Sequence, residues 1–210
     1  MSHPQIIHDE TPIRLFKSDF LEFFTHISPI TVTVIWLPIA VILLLWPILN
    51  GGNPGWYAAG AFLVGLFVWT LAEYTLHRFV FHFPPKTPRM ERITFLFHGV
   101  HHAQPQCKTR LVMPPVVSIP LALLFYALFA WLVGSVFAAP LWVNPIMSGF
   151  LIGYLIYDLT HYATHHWPMR SGYAKYIKRY HMQHHYKTPN ARFGVSSPAW
   201  DYVFKTMPEA

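Results

Sequence analysis

Residues 111–157 run for 47 positions without an Asp, Glu, Lys or Arg. As helix such a run is about 70 Å long, roughly two crossings of a hydrocarbon core about 30 Å thick. Ala138-Ala139-Pro140 and Asn144-Pro145 mark where it turns back. Residues 27–49 are a further charge-free run, and residues 56–76 are interrupted only by Glu73 near their end. The pattern predicts four membrane spans at about 27–49, 56–76, 113–137 and 141–160, the last the shortest. A re-entrant hairpin is the alternative for the second pair.

Composition closes off the other classes. Charged residues make up 11% of the chain and hydrophobic ones 53%, whereas soluble domains carry about 25% charged residues. Disorder needs the opposite balance. A single cysteine, Cys107, excludes an intramolecular disulfide framework, a Cys-based zinc site and a four-Cys iron–sulfur cluster. Residues 1–26 contain Asp9, Glu10, Asp19 and Glu22 and no early apolar core, so they are expected to be a cytoplasmic segment rather than a secretory signal. The remaining chain, 27–210, reads as one domain.

Two of the 15 Lys and Arg residues precede the first span, six lie in 77–110 and seven in 161–210. The connections 50–55 and 138–140 have none. The positive-inside rule then puts both termini and the middle loop in the cytoplasm. The net charge of +6 is explained by this topology and by attraction to anionic lipid headgroups. No basic nucleic-acid module is visible.

Eleven of the 14 histidines fall in four clusters on that same side. They are His77 with His82, His98 with His101 and His102, His161 with His165 and His166, and His181 with His184 and His185. His3, His8 and His26 stand apart near the N-terminus. The i, i+3, i+4 spacing of the second and fourth clusters places three imidazoles on one helical face, so each triplet is expected to converge. Imidazole suits zinc, copper, iron and nickel. One tetrahedral zinc uses four ligands; ten or eleven candidates fit two metals of about five nitrogens each. Redox-capable irons would allow attack on an unactivated C–H bond, which zinc cannot support. Glu73 lies four residues before His77 and Asp158 three before His161, positions from which a carboxylate could accept the second N–H of a ligating imidazole.

The segments His77-Arg-Phe-Val-Phe-His82, His98-Gly-Val-His101-His102, His161-Tyr-Ala-Thr-His165-His166 and His181-Met-Gln-His184-His185 resemble the fatty acid hydroxylase / sterol desaturase superfamily of membrane di-iron enzymes. The stretches from Arg110 to Pro115, Gly153-Tyr154 with Tyr157-Asp158, and Phe193 to Ser197 with Trp200-Asp201 are similar to fatty acid 2-hydroxylases. The resemblance covers about residues 70–205. It implies hydroxylation at C2 of a long-chain acyl group, free or in a sphingolipid, with two iron ions and dioxygen; zinc can substitute in a purified sample. It further implies His77, His82, His98, His101, His102, His161, His165, His181, His184 and His185 as ligands. Family members often carry an N-terminal cytochrome b-type domain, which the short segment before the first span cannot hold. Electrons are therefore expected from a separate reductase with a haem or iron–sulfur carrier. Cys107 stands where the family's loop has an acidic residue, and reads as a surface substitution.

Helix geometry separates the third cluster. With 3.6 residues per turn, His165 lies about 40° from His161 around the helix and His166 about 140° away. His165 is therefore expected to be a ligand, and His166 to contact the ligand shell or substrate. In residues 171–186, Tyr173, Tyr176, Ile177 and Tyr180 share a face, as in a helix lying in the membrane interface. The expected architecture is thus an all-α integral membrane fold, four transmembrane helices with a cytoplasmic His-rich helical cap holding a dimetal centre. An acyl chain would enter from the bilayer with its polar head at the cytoplasmic side. Sterol, carotenoid or alkane oxidation by the same framework is the nearest alternative. A metal transporter or sensor would place ionisable groups at mid-bilayer, where this chain has none.

Overall fold

The computed structural model describes residues 6–7, 11–52 and 54–208, and among them every regular element is helical. The chain divides into two compact units. The second in chain order comprises residues 29–70 and 113–156 and is built from four long apolar helices. These are α2 (Pro29–Leu49), α3 (Gly55–Thr75) prolonged by a π-helical turn (Leu76–Phe81), α6 (Pro115–Phe129) prolonged by another (Ala130–Val136), and α7 (Pro140–His166). Each is long and apolar enough to cross a membrane.

Two helices end later than expected. The second span continues to Phe81 and the fourth to His166, so each is 27 residues long and the fourth is not the shortest. No proline stops either helix until Pro84 and Pro168, and the histidine-bearing turns simply extend them.

Within this unit α3 and α7 touch backbone to backbone. A Cβ on Gly65 would sit 2.0 Å from the carbonyl oxygen of Ile146, and one on Gly149 would sit 2.0 Å from that of Phe62. Small residues at such crossings let dispersion contacts form where lipid offers no hydrophobic drive. Trp69 packs edge-on against Phe150 and Tyr154. Two buried polar contacts tie α2 to its neighbours: Trp36 Nε1 donates to Ser118 Oγ at 3.2 Å, and Ser148 Oγ donates to the Ala40 carbonyl at 2.7 Å.

The first unit takes the described residues within 1–28, 71–112 and 157–210. It contains α1 (Asp19–Phe23), α4 (Pro88–Thr94) with a π-helical turn (Phe95–Gly99), α5 (Val100–Ala103), α8 (Gly172–Tyr186) and α9 (Ala199–Val203), along with the histidine-bearing ends of α3 and α7. α4 starts with Pro88 after Thr87, whose hydroxyl accepts the Met90 N–H, a standard cap. The N-terminal segment is bound to the loop following α5. Ile13 N–H donates to Gln104 Oε1, Gln104 Nε2 to the Thr11 carbonyl, and Ile27 N–H to the Thr109 carbonyl. Arg110 reaches both the Ile13 carbonyl and Glu22, which also accepts the N–H groups of Leu15 and Phe16.

Two expectations change here. Ile177 and Tyr180 of α8 are buried while Tyr173 and Tyr176 stay exposed, so half of this face is packed core rather than an interfacial surface. Tyr180 leaves water with its hydroxyl bonded to Met207 Sδ. Cys107 is buried rather than at the surface.

Candidate metal centre

The ends of α3 and α7, the α4–α5 segment and α8 bring ten histidines together in the first unit. They form two groups of five, His77, His82, His98, His102 and His184 in one and His101, His161, His165, His181 and His185 in the other. Within each group the ligating atoms all lie within 4.8 Å of one another.

The triplets do not converge as spacing suggested. His98 and His102 join the first group while His101 joins the second; His181 and His185 join the second while His184 joins the first. Around a helix, residue i+4 lies about 40° to one side of i, and i+3 lies about 60° to the other. The i, i+4 pair therefore shares one group, and the i+3 residue, about 100° from its neighbour, faces the other. Each group thus combines one pair from a long helix, one i, i+4 pair, and one i+3 residue from the opposite segment.

The His77–His82 pair needs a different backbone. Five residues apart on an α-helix, the two would point about 140° away from each other. The π-helical turn, in which the His82 N–H donates to the His77 carbonyl at 3.0 Å, brings i and i+5 into line. Such turns frequently occur at functional sites.

Nε2 atoms meet at the centre of each group. His77 and His98 are 3.1 Å apart, His98 and His102 3.0 Å, and His82 and His184 3.0 Å. In the second group His101 lies 2.8 Å from His161 and 2.9 Å from His185, and His181 lies 2.9 Å from His165 and 3.0 Å from His185. Two nitrogens bound at right angles to one ion at about 2.0–2.1 Å lie about 3 Å apart. A neutral imidazole has only one N–H, so pairwise hydrogen bonds cannot satisfy five converging rings. A shared cation can.

The rings are held in the form that binds metal. Burial, followed by the neighbouring imidazoles, pulls the pKa values of His98, His101, His181 and His185 well below the ordinary histidine value. Burial does the same for His82 and His184. Neutral imidazole, with a free lone pair, is the ligand form.

Neither acidic residue bonds the imidazole nearest to it in sequence. His77 directs Nε2 into its group and donates from Nδ1 to the Phe193 carbonyl, so the partner expected in Glu73 is a backbone oxygen instead. Glu73, 4% exposed, accepts the N–H groups of Val195 and Ser196, each at 2.7 Å, and the Ser196 hydroxyl. Asp158 is buried, but His161 Nδ1 has no hydrogen-bond partner among the described residues, so that expected contact is not made either. His166 lies outside both groups, its ring against Tyr162. His26 bonds Thr109 and Arg110; His3 and His8 lie outside the described residues.

Sequence reasoning gives no role to Asp201, which enters there only as motif text beside Trp200. Fully buried, it accepts the N–H groups of Phe193 at 2.9 Å and Gly194 at 2.7 Å and the Thr206 hydroxyl at 2.6 Å. A physical clue is present in Gly194, where a Cβ would lie 2.0 Å from the Ser197 carbonyl oxygen.

Fold and site together define a helical membrane protein with a buried histidine core able to hold metal. The sequence model of the family described as fatty acid hydroxylase matches residues 62–206. The dihydroceramide fatty acyl 2-hydroxylase FAH2 of Arabidopsis thaliana is 38% identical over 98% of this chain and 84% of its own length. The ceramide very long chain fatty acid hydroxylase SCS7 of Saccharomyces cerevisiae is 41% identical over 90% of this chain and 48% of its own. A solved structure described as full-length scs7p, with only the hydroxylase domain visible, aligns with a TM-score of 0.82 at 39% identity, covering 91% of this chain and 70% of that one. This chain belongs to the fatty acid hydroxylase family, and its chemistry is that of an oxidoreductase.

Proposed function

We propose that the protein hydroxylates C2 of a long-chain acyl group, free or within a ceramide or other sphingolipid, using dioxygen and electrons from a separate donor. The observation that carries this reading is the pair of five-nitrogen groups with Nε2 spacings matched to metal coordination. The similarity to acyl and ceramide hydroxylases supports the substrate class.

Each group would hold one iron ion, the first through His77, His82, His98, His102 and His184 and the second through His101, His161, His165, His181 and His185. Bound iron supplies the redox chemistry that activates dioxygen and breaks a C–H bond; zinc, which the same imidazoles accept, has no such chemistry. Burial of nine of the ten rings excludes bulk water, which limits wasteful side reactions. The acyl carbonyl must lie next to the reacting carbon, so the polar end of the lipid is the end presented to the histidines.

The chain crosses the membrane four times in this reading, with the histidine-bearing side in the cytoplasm. The placement of all 15 Lys and Arg residues supports that orientation.

Lipid analysis of cells with and without the protein tests the reading. A 2-hydroxy acyl species should appear only where the protein is made. Purified protein supplied with lipid and dioxygen should not sustain turnover until a reductase and carrier are added. Absence of hydroxylated product from folded, iron-loaded protein in the presence of reductant would refute it.

A further inference from the structure

The two nitrogen groups have the same ligand type but different surroundings. In the first, His77 Nδ1 donates to the Phe193 carbonyl and His184 Nδ1 donates to the Ala191 carbonyl at 2.7 Å. In the second, the Nδ1 atoms of His101, His161, His165, His181 and His185 are all buried without a hydrogen-bond partner among the described residues. We infer that the segment from Ala191 to Ser196, clamped by Glu73 and Asp201, serves as the positioning shell of the first metal position alone, so that the two positions bind metal with unequal affinity. The inference rests on the dimetal reading above.

Tautomers carry the difference. A carbonyl can only accept, so His77 and His184 must carry their proton on Nδ1, which leaves each Nε2 lone pair facing its group before any ion arrives. Such partners fix ring orientation and raise ligand basicity. The five rings of the second group lack this constraint. Some of them can place the proton on Nε2 and donate it to a neighbour whose Nε2 is bare, across the gaps of 2.8 to 3.0 Å between them. Binding an ion there requires moving those protons to Nδ1, where no acceptor waits among the described residues, and buried donors without acceptors are costly.

The shell itself is held firmly. Asp201 takes the N–H groups of Phe193 and Gly194, and Glu73 takes those of Val195 and Ser196 together with the Ser196 hydroxyl. Four consecutive backbone donors are thus fixed by two buried carboxylates. Glu73, Ser196 and Asp201 touch no ligand nitrogen in these contacts; they are positioning residues.

Equilibrium metal retention tests this. Purified holoprotein is dialysed against zinc buffers spanning a range of free Zn²⁺, and bound zinc per chain is counted by elemental analysis. Wild type should release its two ions in two steps at least about tenfold apart, since outer partners are worth roughly 10–100-fold in affinity. His184→Ala should remove the tighter step and His165→Ala the weaker. Glu73→Gln and Asp201→Asn should weaken the tighter step about 10–100-fold and leave the weaker one in place. Should either variant fail to fold, Ser196→Ala, which removes only one hydroxyl contact, should move the tighter step in the same direction by less. General destabilisation would disturb both steps, so a shift of the weaker step, or one unresolved two-ion step in wild type, overturns the inference. Fewer than two ions at saturating zinc would instead refute the dimetal reading.

Discussion

His101 and His102 are adjacent in sequence, and their imidazoles, 5.8 Å apart between ring centroids, belong to different nitrogen groups. A single turn of helix therefore serves two nitrogen groups, and so does its counterpart, with His184 beside His185. The helices are shared walls: each of these turns lends histidines to both groups.

That partition gives the first expectation. His101→Ala combined with His185→Ala damages one group twice and should leave about one ion per chain. His101→Ala combined with His102→Ala damages both groups and should leave close to none. His166→Ala should keep both ions, because His166 lies outside the groups. Elemental analysis of the three proteins checks this; equal metal loss from the two double variants would contradict the partition.

The α3–α7 crossing gives a second. Gly149→Ala places a methyl group 2.0 Å from the Phe62 carbonyl oxygen, backbone that cannot yield without separating the helices. Overpacking of this kind costs about 1–3 kcal/mol, and the apparent melting temperature in detergent should fall. Gly60→Ala, with nothing within 4 Å of the added carbon, is the control and should be neutral or slightly stabilising through helix propensity.

Much of this was legible in the sequence. Charge-free runs located all four long helices, since a membrane tolerates few alternatives for such stretches. The ten histidines that gather in the two groups stand out by type and spacing. How they divide was not legible, because it depends on which helices face each other across the core rather than on any one helix. Spacing pairs Glu73 and Asp158 with the histidines nearest in sequence, but Glu73 bonds residues more than a hundred positions away. Local spacing carries no record of such a contact. The five-residue gap between His77 and His82 did hold information, as it fits a π-turn and not an α-helix.

Glu22 gives a pH dependence. Burial alone would raise its pKa, but the N–H groups of Phe16 and Leu15 and the Arg110 guanidinium outweigh it and hold the carboxyl below its ordinary value of 4.5. A carboxylate lowered in the folded state adds stability that is present above the unfolded pKa and lost as pH falls through the folded one. Glu22→Gln should therefore destabilise the protein at neutral pH, by about 1.5–3 kcal/mol for bonds to a charged group. The gap between variant and wild type should close as pH drops below about 4.5. A gap that persists unchanged at acidic pH would assign the effect to shape rather than charge.

The proposed reaction is defined by where one oxygen atom ends up. Iron-loaded protein, a ceramide or free long-chain acid, a reductase with its carrier, and ¹⁸O₂ are incubated together, and the lipid product is fragmented by mass spectrometry. Hydroxylation as proposed puts a single ¹⁸O on C2 of the acyl chain. A hydroxyl at another carbon, or one carrying oxygen from water, would contradict it.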